Sequence, residues 1–251
     1  MTDALANDLC EALGISHPTL TTVAEMDPPL AREFLAMARA VGASNALSPK
    51  DQSLIQIALN ASVVHLNAEM VRAHIATALQ RDATAGEIRE VLQLTSVLGI
   101  HGTIPGVLIL TDAEGGLDNL RQTASPDRQV RAEAAHRIFE NKRGALTPAW
   151  QACTYHIPAL VEAYAGFSGV PWSTSHLTPK MKELIYITID LMPQHTHLEG
   201  AKVHMAKARA NGAMDAEIVS VLQMIALLGI QTHMLALPIL KEELEKAGLP
   251  A

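Results

Sequence analysis

The chain has 251 residues, 49% hydrophobic and 18% charged, which is enough apolar material for a large folded core and the reverse of a disordered composition. Aromatic residues are only 3% while Ala, Leu, Ile and Met dominate, which favours helices and argues against a β-sandwich or barrel. The net charge of -7 argues against a nucleic-acid partner, and with no apolar run near the roughly 20 residues of a bilayer span no membrane partner is expected.

In chain order, the stretch MTDALANDLC lacks the basic and apolar regions of a signal peptide, and residues 1–24 read as an N-terminal extension. Ser48-Pro49 opens a helix, with a hydroxyl at the cap and proline in the first turn. Leu54, Ile55, Ala58 and Leu59 follow at helical spacing. Asn60-Ala-Ser62 breaks that helix, and a further helix carries Glu69 and His74. Thr84-Ala-Gly-Glu87 is a capping box opening a helix with Ile88, Val91, Leu92 and Thr95 on one face. Gly99, in apolar surroundings, marks a close helix approach or a break. Residues 113–145, Gly-rich and charged, read as a linker followed by an extra exposed helix.

The same elements then recur. Sliding the chain against itself places Leu47 on Leu177 and Leu110 on Leu240 without a gap, and about a third of the intervening pairs are identical. Such self-similarity is left by a duplicated structural unit. Thr178-Pro179 repeats the helix start, Leu184, Ile185, Thr188 and Ile189 repeat the apolar face, Met192-Pro193-Gln194 repeats the break, and Asp215 takes the capping place. Pro28, Leu30 and Phe34 fall on Pro158, Leu160 and Tyr164. The expected organisation is a first unit over 25–113, a linker with an extra helix over 114–145, and a second unit over 146–251. The fold class is all-α, two tandem repeats of one helical unit.

Three ionisable positions recur in both copies: His65 with His195, Glu69 with Glu199, and His74 with His204. Arg72 is matched by Lys202, so a cation is kept there. On one unbroken helix His65 and His74 would face opposite ways. The break after residue 60 lets a turn bring His65 back towards the start of the helix that carries His74, where the helix N-terminus favours an anion. Histidine titrates near neutrality and serves as acid or base. His101 and His233, near counterparts after Gly99 and Gly229, are further candidates for contact with substrate, the alternative being a packed core histidine.

The pattern L-[ST]-P-K, helix, turn, helix with H-x3-A, then E-I and V-L-x5-L-G, occurs twice. It resembles the carboxymuconolactone decarboxylase family, which shares its fold with the AhpD-type alkylhydroperoxidases. The resemblance covers roughly 25–113 and 155–243. It implies an AhpD-like helical bundle and assembly as a homo-oligomer, a trimer of two-unit chains mimicking a hexamer. The peroxidase branch carries C-x-x-C-x3-H. Here the thiol positions hold Asn67 and Met70 in one copy and His197 and Gly200 in the other, and Cys10 and Cys153 lie outside the motif. A thiol peroxidase needs an attacking and a resolving thiol, so that activity is not expected. The two distant cysteines suit a reducing, cytoplasmic setting.

The expected function is a cofactor-independent lyase acting on a small carboxylated or lactone-type metabolite. Arg72 or Lys202 would hold the carboxylate, His74 or His204 would be the acid, and His65 or His195 would polarise a carbonyl, with Glu69 and Glu199 in support. One alternative is a divalent-metal hydrolase, isomerase or oxygenase with His195, His197 and His204 as ligands. Another is a non-enzymatic helical oligomer.

Overall fold

The protein, analysed as a computed structural model, is described over residues 2–250. Its helices are α1 (Thr2–Leu13), α2 (Thr19–Met26), α3 (Pro28–Gly42), α4 (Pro49–Ala61), α5 (Ala68–Gln80), α6 (Ala85–Ser96), α7 (Thr103–Ala113), α8 (Gly116–Thr123), α9 (Pro126–Arg143), α10 (Pro148–His156), α11 (Pro158–Gly169), α12 (Pro179–Asp190), α13 (Leu198–Ala210), α14 (Asp215–Ala226) and α15 (Gln231–Ala247). Between α12 and α13, strands β1 (Leu191–Met192) and β2 (His195–Thr196) form a minimal antiparallel hairpin, Met192 opposite His195. The architecture is all-α.

The helix starts follow from their side chains. The Ser48 and Thr178 hydroxyls accept from the N–H groups of Asp51 and Met181 at 3.1 and 3.2 Å. At α6, Thr84 and Glu87 exchange both bonds of the capping box. At α14 the cap differs from the expected one. Glu217, not Asp215, accepts from the Met214 N–H at 2.8 Å, while Asp215 is turned outward to Arg209. The Lys of L-[ST]-P-K reaches the same acid in each copy: Lys50 to Glu87 at 2.8 Å and Lys180 to Glu217 at 2.7 Å. That motif therefore ties one helix start to another. Gly99 and Gly229 sit in 3₁₀ segments, Val97–Gly102 and Leu227–Ile230, with nothing near a Cβ at either. They mark breaks rather than close approaches.

The repeat is longer than the sequence pattern indicates. Helices α9, α10 and α11 occupy the places of α1, α2 and α3, so the extra helix expected before residue 145 is the counterpart of the N-terminal helix. Nor is α9 merely exposed: Ala132, Ala135 and Phe139 are buried on it. In the N-terminal extension, Leu9, Ile15, Leu20 and Val23 are buried in one core with Phe34, Leu35 and Met70.

The helices group into two compact units that cut across the repeats. One comprises residues up to Leu92 together with those from Thr178 onward, the other Gln93–Leu177. In the first, α15 packs on α2, so the tail of the second repeat covers the front of the first. Here α12 also packs against α4, α13 and α14, and every residue from Met181 to Asp190 is buried. The second unit has its own core around Ile104, Val107, Phe139, Val161 and Ala165, with Trp150 between the Phe139 and Tyr164 rings.

Two continuous helical stretches, Ala85–Ala113 and Asp215–Ala247, have mean hydropathy 1.6 and 1.7, long and apolar enough by length and composition to cross a bilayer. The sequence expectation of no such stretch needs that correction. Each interior window is 44% and 50% buried, and Val91, Leu94, Val221 and Met224 on them are core residues. The apolar length serves packing within the fold.

Candidate active site

The two copies of the site diverge in chemistry. In the first repeat the turn after α4 bends at Leu66, with φ +47. It delivers His65 Nε2–H to Gln231 Oε1 at 2.7 Å, and Asn67 donates to the same oxygen at 2.6 Å. The Gln231 amide donates to Asn60 Oδ1 at 2.7 Å, and Asn60 donates to the Gln56 carbonyl. The result is a closed set of neutral groups around His65. At the thiol positions of the peroxidase pattern, Asn67 caps α5 by accepting from the Met70 N–H, and Met70 is core.

His74 lies outside this set. It is 5% exposed and lines a cavity of about 450 Å³ together with Gln52, Ser53, Gln56, Arg81 and Ser220. Burial, helped by the Arg81 charge, pushes its pKa down to about 4, so the ring is neutral near pH 7.

In the second repeat the matching positions are charged. The His204 Nδ1 lies 2.6 Å from Glu183 Oε2, and its Nε2 faces Asp190 Oδ2 at 4.0 Å. Both carboxyls are almost wholly buried on α12. Burial, reinforced by Glu183, raises the Asp190 pKa to about 7. The Tyr186 ring lies 4.5 Å from the His204 ring. The His197 N–H donates to the Asp190 carbonyl at 2.7 Å, closing the hairpin over the end of α12. Gly200 is required here, since a Cβ would strike the Asp190 carboxylate and the His197 ring. Burial lowers the pKa of His195 and of His197, the latter further through its neighbours His195 and His204. Beneath, Lys182 and Glu90 form an ion pair at 3.4 Å, 3% and 1% exposed.

Several expected site residues are exposed or paired with other groups. Arg72 is exposed. Lys202 and Glu199 pair with each other at 2.8 Å, 72% and 80% exposed. Glu69 is 77% exposed and lies 3.5 Å from His17. His233 lies 3.9 Å from Asp27, and His101 is half-buried. His195 and His197 stack with centroids 6.0 Å apart, and a ligand atom of His195 lies within 4.8 Å of one of Asp190. Of the cysteines, Cys153 is buried and its thiol is pushed up to about 11.

Sequence reasoning passed over Glu183, Asp190, Arg81 and Gln231. It sought residues shared by both copies, and Glu183 and Asp190 face Ser53 and Asn60 across the repeat. The available signal was a pair of acids inside the apolar run ELIYITID, since buried charges are rare without a partner or a task.

The sequence pattern of the carboxymuconolactone decarboxylase family matches residues 28–99 and 158–242. A crystal structure of a protein from Burkholderia xenovorans LB400, provisionally named a gamma-carboxymuconolactone decarboxylase subunit, superposes with a TM-score of 0.88 at 31% identity over 98% of each chain. No curated protein matches the chain.

Proposed function

The chain belongs to the carboxymuconolactone decarboxylase family, and on that premise we propose that it is a lyase acting on a small carboxylated or lactone-type metabolite, with the acid–base centre in its second repeat. The observation that carries this reading is the His204–Glu183 contact at 2.6 Å with the Asp190 carboxyl on the other side of the ring. Glu183 orients the imidazole by accepting from Nδ1–H, which leaves Nε2 for the substrate. Asp190, whose pKa is raised to about 7 by burial and Glu183, titrates near neutrality, where an acid both keeps and gives a proton readily. The His204 side chain keeps 17% exposure.

In a decarboxylation of this class the bond to the departing carboxylate breaks and its electron pair moves into the conjugated carbonyl, giving a dienolate. A proton then adds at carbon. His204 and Asp190 supply that proton and recover it from solvent. In the first repeat Ser53 and Asn60 stand where Glu183 and Asp190 stand in the second, so the paired carboxyls of the proposed centre are missing there.

The test is turnover of a carboxylated muconolactone followed by carbon dioxide release and loss of ultraviolet absorbance. Glu183→Gln and His204→Gln are expected to lower kcat by about 10²–10⁴, with Glu69→Gln close to wild type. Unchanged turnover in both second-repeat variants would overturn the assignment.

A further inference from the structure

The cavity beside His74 lies apart from that centre and has its own chemistry. Its volume of about 450 Å³ falls in the range of small-molecule sites, roughly 300–1,000 Å³. Its lining includes the apolar side chains Leu13, Val41, Met224 and Leu227. The same lining carries Arg81 and His74. Arg81 donates to the Pro49 carbonyl at 3.0 Å and to Ser53 Oγ at 2.9 Å, and among the described residues no carboxylate pairs with it. The other cation of the lining, Arg39, is taken by Asp8 at 3.0 Å. His74, only 5% exposed, has no hydrogen-bond partner among the described residues. A buried polar ring without a partner loses free energy, and here it borders open space next to an uncompensated guanidinium.

We propose that this cavity is a second ligand site of the chain, which binds a small organic monocarboxylate: Arg81 takes the carboxylate, His74 makes a hydrogen bond to it, and the apolar lining residues contact the carbon body. One free guanidinium matches one carboxylate. Asp8 and Glu11 at the lining disfavour a second negative charge. The apolar lining residues and the volume favour an organic acid over an inorganic anion. Binding here needs no proton transfer, so it is independent of the His204 centre.

Titration calorimetry on the full chain with benzoate, benzyl alcohol and inorganic phosphate tests this. Benzoate is expected to bind once per chain, about tenfold or more tighter than benzyl alcohol, since charge-assisted bonds are the strong ones. It should displace phosphate and shift the His74 ring resonances. Arg81→Gln should weaken benzoate about tenfold or more, and Arg81→Lys should keep part of the affinity, which guards against a folding defect in the first variant. Glu183→Gln should leave benzoate binding intact while removing turnover, so the two assignments fail separately. The proposal is overturned if benzoate does not bind, if benzyl alcohol or phosphate binds as tightly, or if binding is lost in Glu183→Gln and kept in Arg81→Gln.

Discussion

His204 Nδ1 lies 2.6 Å from Glu183 Oε2, whereas at the matching places of the first repeat His74 borders a cavity and Ser53 Oγ accepts from Arg81 at 2.9 Å. One duplicated scaffold has thus become two sites. The second is a buried set of ionisable groups, and the first is a neutral amide network beside an open volume.

Asp190 and His74 give this divergence opposite pH signatures. Asp190 titrates at about 7 in the folded chain against an ordinary value of 3.8, so between those values the folded state binds more protons than the unfolded one. Its stability contribution therefore falls as pH rises through that window, by up to about 1.4 kcal/mol per pH unit. Asp190→Asn keeps the shape and removes the slope. Urea unfolding of the variant should show its stability gaining on wild type from pH 5 to pH 8.

For His74 the sign reverses. Its pKa of about 4 against 6.5 means that the unfolded state binds more protons between those values. Stability is lost as pH falls from about 6.5 to 4. His74→Gln should therefore gain on wild type as the pH is lowered from 7 to 4.5. A constant difference across that range would show that the ring does not titrate as a buried group.

The Lys182–Glu90 pair, 3.4 Å apart and 3% and 1% exposed, joins α12 to α6. Removing one partner leaves the other charge buried without this ion pair. Lys182→Met alone should cost about 3–5 kcal/mol, while the double variant Lys182→Met/Glu90→Leu should recover most of that loss. Chemical denaturation of the three proteins checks this, and equal losses in single and double variants would mean that the pair is not energetically coupled.

Assembly into a homo-oligomer is the remaining expectation. Leu235, Ile239 and Leu240 of α15 are 70%, 52% and 47% exposed, and the equivalent Ile109 and Leu110 of α7 are 71% and 48% exposed. Apolar rows of this kind on a folded surface mark contact sites. Ile239→Glu with Leu235→Glu should lower the mass measured by sedimentation to that of fewer chains. An unchanged mass would place the contact elsewhere.

Much of the architecture is local in origin and so legible in the chain itself. Ser48-Pro49, Thr178-Pro179 and the Thr84–Glu87 box start their helices through bonds that span three residues. Apolar spacing sets the helix faces, and the repeat shows in aligned identities such as His74 with His204. What the chain alone did not give are relationships decided by burial. The equivalence of α9 with α1 is invisible because a helix needs only apolar residues on its packed face, and Phe139 serves where Leu9 does. The roles of Glu183, Asp190 and Arg81 depend on α12 being enclosed on all sides and on Arg81 lying without a carboxylate beside His74. Residues kept in both copies, such as Glu69 and Glu199, proved to be exposed. Sequence fixes which side chains are available, but desolvation and distance, set only when α4, α12 and α13 pack, decide which of them are perturbed enough to do chemistry.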